Sequence, residues 1–170
     1  MKKWGKVVEK WRSLWKIGEK KMDFVEINGE NLKDIEKIAV LEQEFFGEGG
    51  INLWVLKPFS KYGKIYCLKK DNEIKALCEV IMGWEKKTVF IFSFGVKDEY
   101  RGKGVGYELM INVLEKIKSE NVEKIELTVN PLNLAGVKLY KKCGFIVEKE
   151  LKNEYGNGED RYLMGLKVQK

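Results

Sequence analysis

The chain has 170 residues, 44% of them apolar and 34% charged, a length and mix that suit one domain with a buried core. It contains no histidine, which excludes Ser-His-Asp and Cys-His catalysis and any zinc site built on imidazole. Its net charge of +6 suggests nucleic acid only until it is located: eight of the 32 Lys/Arg and two of the 26 Asp/Glu lie in residues 1–21, leaving 24 of each sign beyond, whereas a phosphate-gripping surface needs its basic groups on the folded body.

Residues 1–21 set Trp4, Val7, Val8, Trp11, Leu14 and Trp15 at spacings of three and four among lysines. That pattern is an apolar stripe on a basic helix. It reads as an accessory extension, with the folded domain spanning residues 22–170. The roughly 7-residue apolar stretch of a secretory signal does not follow the first lysines, and no run approaches the ~18–20 apolar residues of a membrane span. Cys67, Cys78 and Cys143 are odd in number, far apart and without a C-x-x-C pair. Buried reduced thiols in a cytoplasmic protein are therefore expected.

From Met22 the pattern alternates between strand and helix periods. MDFVEI is a short strand, and Asn28-Gly29 turns it. A helix follows from Glu30 or Asn31 to about Phe46, with Ile35, Ile38, Ala39, Leu41, Glu42 and Phe45 on its repeat. A short helix over about 51–57 is expected to stop at Pro58. KIYCLKK is a strand, Asp71-Asn72 a hairpin turn, and IKALCEVIMGW and TVFIFSFGV two further strands. Beyond a glycine-rich turn come a helix from about Val105 to Glu120, the strand KIELTV, and a helix from about Asn133 to Lys142 that stops at Cys143-Gly144. FIVEKEL and RYLMGLKV close the chain around the loop Asn153–Asp160. The order β-α-α-β-β-β-α-β-α-β-β predicts an α/β (α+β) domain, a mixed sheet with helices on both faces.

The turn Arg101-Gly102-Lys103-Gly104-Val105-Gly106 carries the chemistry. It lies between an apolar strand and an amphipathic helix. Gly102, Gly104 and Gly106 lack a Cβ, so a ligand can approach the main chain closely. The amides of such a turn, with the positive end of the following helix, form an anion site that suits a pyrophosphate. Arg101 and Lys103 add positive charge. The G-K-[ST] of a Walker loop is absent, and the glycine spacing is wrong for G-x-G-x-x-G.

The turn resembles the [RQ]-x-x-G-x-[GA] segment of the GNAT N-acetyltransferases, through Arg101, Gly104 and Gly106. Some thirty residues on, Asn133-Leu-Ala-Gly-Val-Lys-Leu-Tyr140-Lys-Lys-Cys-Gly-Phe145 is similar to the family's N-x-x-A-x-x-L-Y-x-x-x-G-F segment, with Gly136 in place of the usual Ala. The resemblance spans about Met22 to Val168 and is strongest from Ser93 to Phe145. It implies a mixed, mostly antiparallel seven-stranded sheet and an acetyl-CoA-dependent transferase without a metal. It further implies that acetyl-CoA binds Phe94, Gly95, Val96, the turn from Arg101 to Gly106, Asn133 and Tyr140, in a gap between the strand before the turn and KIELTV. A main-chain N–H near Phe94 or Gly95 would polarise the thioester carbonyl. A neutral amine attacks directly, and Tyr140 serves the departing thiolate. The general base is open between Glu126, Glu79 and water, because Thr128 stands where many N-terminal amine acetyltransferases of the family carry a Glu.

The acceptor is less legible. Glu42, Glu44 and Glu48 form an acidic helix end that either attracts a cationic amine such as a polyamine or is a solvated face. The last hairpin, with Tyr155, is similar to that of ribosomal-protein and N-terminal acetyltransferases, although Arg161 stands where a small residue is usual. A protein N-terminus, a lysine and a small polyamine stay open as acceptors, a non-catalytic acyl-CoA sensor is the competing class, and a homodimer is one expectation from the family. No nucleic-acid partner is expected.

Overall fold

The computed structural model describes residues 22–84 and 87–168. The expected extension, residues 1–21, lies outside the described residues. Strands β1 (Asp23–Glu26), β2 (Lys64–Lys70), β3 (Glu73–Met82), β4 (Thr88–Val96), β5 (Lys124–Val129), β6 (Ile146–Leu151) and β7 (Arg161–Lys167) form one sheet in the order β1-β2-β3-β4-β5-β7-β6. Helices α1 (Leu32–Phe46), α2 (Leu53–Tyr62), α3 (Val105–Lys118) and α4 (Leu134–Lys142) complete the domain. Neighbouring strands pair antiparallel except β4 and β5, which run parallel.

Local chemistry explains most boundaries. Asp71 and Asn72 both hold positive φ, 52° and 63°, the left-handed conformation that a two-residue hairpin requires and that these side chains tolerate. Gly144, at φ 95°, stops α4 as expected. Helix α3 buries Val105, Leu109, Met110, Val113, Leu114 and Ile117, a stripe at helical spacing.

Helix α2 departs from the expectation of a stop at Pro58. It continues through the proline to Tyr62. An interior proline forfeits one main-chain hydrogen bond and costs about 3 kcal/mol. Two features offset it. Asn52 Oδ1 caps the helix by accepting from the Trp54 and Val55 amides, at 3.1 and 3.3 Å. Leu56 is buried and Phe59 packs beside it in the core shared with α1.

The sheet separates two cores. On one face Ile35, Ile38 and Leu41 of α1 and Leu56 of α2 pack on Ile65, Cys67, Ile74 and Leu77. On the other, α3 with Tyr140, Cys143 and Phe145 covers Leu68, Ala76, Cys78, Val80, Val89, Ile91, Ile125 and Leu127. Helices on both faces match expectation, and the three cysteines are buried and free.

Candidate active site

The parallel pair does not stay closed. β4 and β5 pair from Thr88–Lys124 to Ile91–Leu127 and no further, although β4 continues to Val96 and β5 to Val129. The last five residues of β4 thus present an edge with no β5 partner. Such an edge exposes main-chain N–H and C=O groups that an extended ligand can pair with.

A bulge decides which side chains flank this opening. Glu79 of β3 pairs with Ser93, but Val80 pairs with Ile91, which leaves Phe92 as an extra residue in β4. Alternation therefore breaks. Val89, Ile91, Phe94 and Val96 face the α3 side. Phe92 meets Phe59 of α2, rings 5.4 Å apart, and the adjacent Ser93 reaches Glu42 of α1. Gly95 also faces this side, and a Cβ there would collide with the ring of Phe45.

At the end of β4 lies the glycine turn. Gly102 and Gly104 have φ of 71° and 85°, which only glycine adopts at little cost. A Cβ on Gly102 would meet nothing within 4 Å among the described residues, so the cradle is open. The earliest bond of α3 in this turn runs from the Glu108 amide to the Gly104 carbonyl, at 3.0 Å, and helix geometry leaves the preceding amides without intrahelical acceptors. Arg101 braces the turn: Nε donates to the Val96 carbonyl at 3.0 Å, and the guanidinium pairs with Asp98 at 2.8 Å. Lys103 and Gly104 are exposed, and Val105 and Gly106 begin the helix. This geometry fits a diphosphate followed by an extended arm along β4.

Tyr140 comes to the opening from α4. Its side chain is packed between Phe94 and Phe145, each ring 6.1 Å away, and burial pushes its phenol above the ordinary value. It is neutral and able to donate a proton. Asn133 caps α4, its Oδ1 accepting from the Gly136 amide at 2.9 Å. A Cβ at position 136 would press on that Asn133 side chain, so Gly136 and the tucked asparagine go together.

The two carboxylates proposed as base lie in different places. Glu126 sits opposite Phe90 in the closed part of the β4–β5 pair, ion-paired to Lys124 at 2.6 Å, and Lys124 also holds Glu148 at 2.6 Å. Glu79 lies across from Ser93, beyond the last β4–β5 pair. It is 0% exposed, and neither carboxylate oxygen has a hydrogen-bond partner among the described residues. Burial first, and the charge of Glu42 second, push its carboxyl up to about 8.

Two further polar residues, Glu42 and Ser93, are buried beside Glu79, and the sequence pattern does not mark either as part of a site. The expectation of an acidic helix end, amine-attracting or solvated, fails for Glu42, which is 1% exposed, while Glu44 and Glu48 are exposed. The Ser93 hydroxyl donates to Glu42 Oε1 at 2.6 Å, and the Ile51 amide donates to Oε2 at 3.2 Å. The available signal was position: Glu42 falls on the helical repeat of Ile35, Ile38 and Leu41. On the β5 side, the Thr128 hydroxyl and the Tyr155 hydroxyl lie 3.0 Å apart. Arg161 stacks over the Tyr155 ring at 5.0 Å. The β6–β7 loop is thereby fastened to the end of β5.

The profile of the acetyltransferase (GNAT) family matches residues 31–145, which include the opening, the glycine turn and α4. The chain belongs to the GNAT acetyltransferase family. It is 39% identical over 158 residues to an N-alpha-acetyltransferase of Saccharolobus solfataricus, covering 86% of this chain and 94% of that protein. The ribosomal-protein-S18-alanine N-acetyltransferase of Escherichia coli shares the fold with a TM-score of 0.74 at 17% identity, over 88% of this chain and 96% of that one. A chain of the NatC complex bound to Gag peptide and CoA superposes with a TM-score of 0.76 at 20% identity, over 88% of this chain and 100% of its own length. As a GNAT protein the chain is an N-acetyltransferase, an acyl-transferring enzyme. No described helix is long and apolar enough to cross a membrane, and no group of three or more His, Cys, Asp or Glu that could hold a metal is found among the described residues.

Proposed function

We propose that this enzyme transfers the acetyl group of acetyl-CoA to the α-amino group of a protein N-terminus, by direct attack in a ternary complex. The observation that carries the proposal is the unpaired end of β4, which runs from the opening beside Tyr140 to the open glycine turn. The acceptor class is supported by the N-alpha-acetyltransferase of Saccharolobus solfataricus, at 39% identity over most of both chains.

Bound acetyl-CoA would supply the activated acetyl group. The chain's own residues do the rest. The amides from Gly102 to Gly106 neutralise the diphosphate. Asn133 flanks that arm at the head of α4. The free edge of β4 from Phe94 to Val96 pairs the extended arm and aims an N–H at the reacting carbonyl. Tyr140, neutral, protonates the departing sulfur. The proton released by the amine goes to the buried carboxylate compartment that Glu42 shares with Glu79, because Glu126 is committed to Lys124 in the closed part of the sheet.

Calorimetric titration with CoA and acetyl-CoA, followed by a panel of peptides, lysine peptides, spermidine and aminoglycosides, tests the proposal. The expected result is CoA binding and turnover with free peptide N-termini. CoA binding with turnover on spermidine alone would move the acceptor to a polyamine. CoA binding with no turnover on any amine would favour a sensor.

A further inference from the structure

Glu79, Glu42 and Ser93 converge from β3, α1 and β4, and their arrangement is unequal. Glu42 is buried but receives two donors, the Ser93 hydroxyl and the Ile51 amide. Such bonds favour the ionised form. Glu79 is buried and receives none among the described residues. Two carboxylates in one buried compartment do not both ionise readily at neutral pH, and the proton settles on the one without donors. Glu42 is then the charged member. Ser93, 7% exposed, lies just past the point where β4 leaves β5. From that place in the strand its hydroxyl donates to Glu42.

We propose that Ser93 and Glu42 form the proton exit of the reaction: the acceptor amine gives its proton to Ser93 Oγ while the Ser93 proton passes to Glu42. The inference rests on the N-acetyltransferase reading and names the path that reading leaves open. The step balances. The amine N–H breaks and a new Ser93 O–H forms. The old Ser93 O–H breaks and a Glu42 O–H forms; the amine lone pair makes the new bond to the carbonyl carbon, and the pair from the broken N–H becomes the lone pair of the amide nitrogen. After product leaves, the proton returns to solvent by the same path.

The bulge at Phe92 is the reason this is feasible. Without it regular alternation from Ile91 would put Ser93 on the α3 side, and Glu42 would keep only the Ile51 amide as donor. A hydroxyl is a fitting conduit because it accepts and donates at once. Burial also raises Glu42 above the ordinary carboxylate value, against the lowering effect of its two donors, which brings it nearer to an amine as a base. The titratable groups nearest the pair are each other and two thiols that feel the charge of Glu79: Cys67, in the core on the α1 face, and Cys78, across the sheet on the α3 face. Burial pushes the Cys67 thiol up to about 12 and the Cys78 thiol well above its usual value, so neither titrates near neutrality.

The test compares Ser93→Ala, Ser93→Thr and Glu42→Gln with wild type, using the peptide that turns over fastest in the amine panel. Ser93→Ala and Glu42→Gln are expected to lower kcat about ten-fold or more, with acetyl-CoA affinity by calorimetry within about two-fold. Ser93→Thr, which keeps the hydroxyl, should restore most of the rate. The acid limb of kcat/KM should be steeper in wild type, where amine and pair both titrate, than in Glu42→Gln, where only the amine does. A kcat in Ser93→Ala within about two-fold of wild type, or an equal loss in Ser93→Thr, would overturn the relay. Failure of wild type itself to bind acetyl-CoA would overturn the transferase reading beneath it, and the relay with it.

Discussion

Glu79→Gln should make the protein more stable, and increasingly so as pH rises. The wild-type carboxyl has an ordinary value of 4.5 and is pushed up to about 8 in the fold. The folded state therefore binds more protons than the unfolded state between these limits. Stability falls as pH climbs through that window and is least affected at or below pH 4.5. At 1.36 kcal/mol per unit, the cost is on the order of 3 kcal/mol at pH 7 and approaches about 5 kcal/mol above pH 8. Glutamine keeps the shape and cannot ionise. Urea denaturation of wild type and variant at about pH 5, 7 and 8.5 should show the difference in unfolding free energy growing by about 4 kcal/mol across the series. Any fixed cost of burying the amide cancels from that change. A difference that stays constant with pH would refute the claim that Glu79 is protonated in the fold. If the growth appears, the chain retains an uncompensated buried carboxyl at a substantial cost in stability, as expected of a functional position.

Other substitutions probe other parts of the site. Tyr140→Phe should lower kcat at saturating acetyl-CoA about ten-fold or more while leaving acetyl-CoA affinity similar, measured by initial rates and calorimetry; unchanged turnover would remove Tyr140 from the mechanism. Gly95→Ala forces a Cβ into the Phe45 ring and should destabilise by about 1–3 kcal/mol in urea melts. Gly104→Ala, at φ 85°, should cost about 1 kcal/mol or more of stability and weaken CoA binding measurably. Glu126→Gln should leave the acid limb of the pH–rate profile in place, since its carboxylate serves Lys124.

Much of this was legible in the residues because local chemistry dictated it. The strands Lys64–Lys70, Thr88–Val96 and Lys124–Val129 follow from β-branched and aromatic runs bounded by turn residues. The turn from Arg101 to Gly106 and the position of Tyr140 follow from spacing. What sequence did not reveal depends on tertiary context. The helix through Pro58 is held by a cap and by packing that no propensity records. The bulge at Phe92 leaves no mark in a strand that alternates plausibly in either phase, so the sequence does not show which way Ser93 faces. Glu42 sat on an apolar repeat, yet a charged residue near a helix end is ordinarily solvated. Only the fold, by bringing β4 against α1, shows that it is buried.

The central claim is that an acetyl group passes from acetyl-CoA to a free amine at the opening between β4 and β5. Incubating the enzyme with isotope-labelled acetyl-CoA and a mixture of peptides bearing free N-termini, then locating the label by mass spectrometry, tests it most directly. Label on the N-terminal nitrogen, strongly reduced in Tyr140→Phe, is the predicted result. A wild-type enzyme that leaves every peptide nitrogen unlabelled would contradict it.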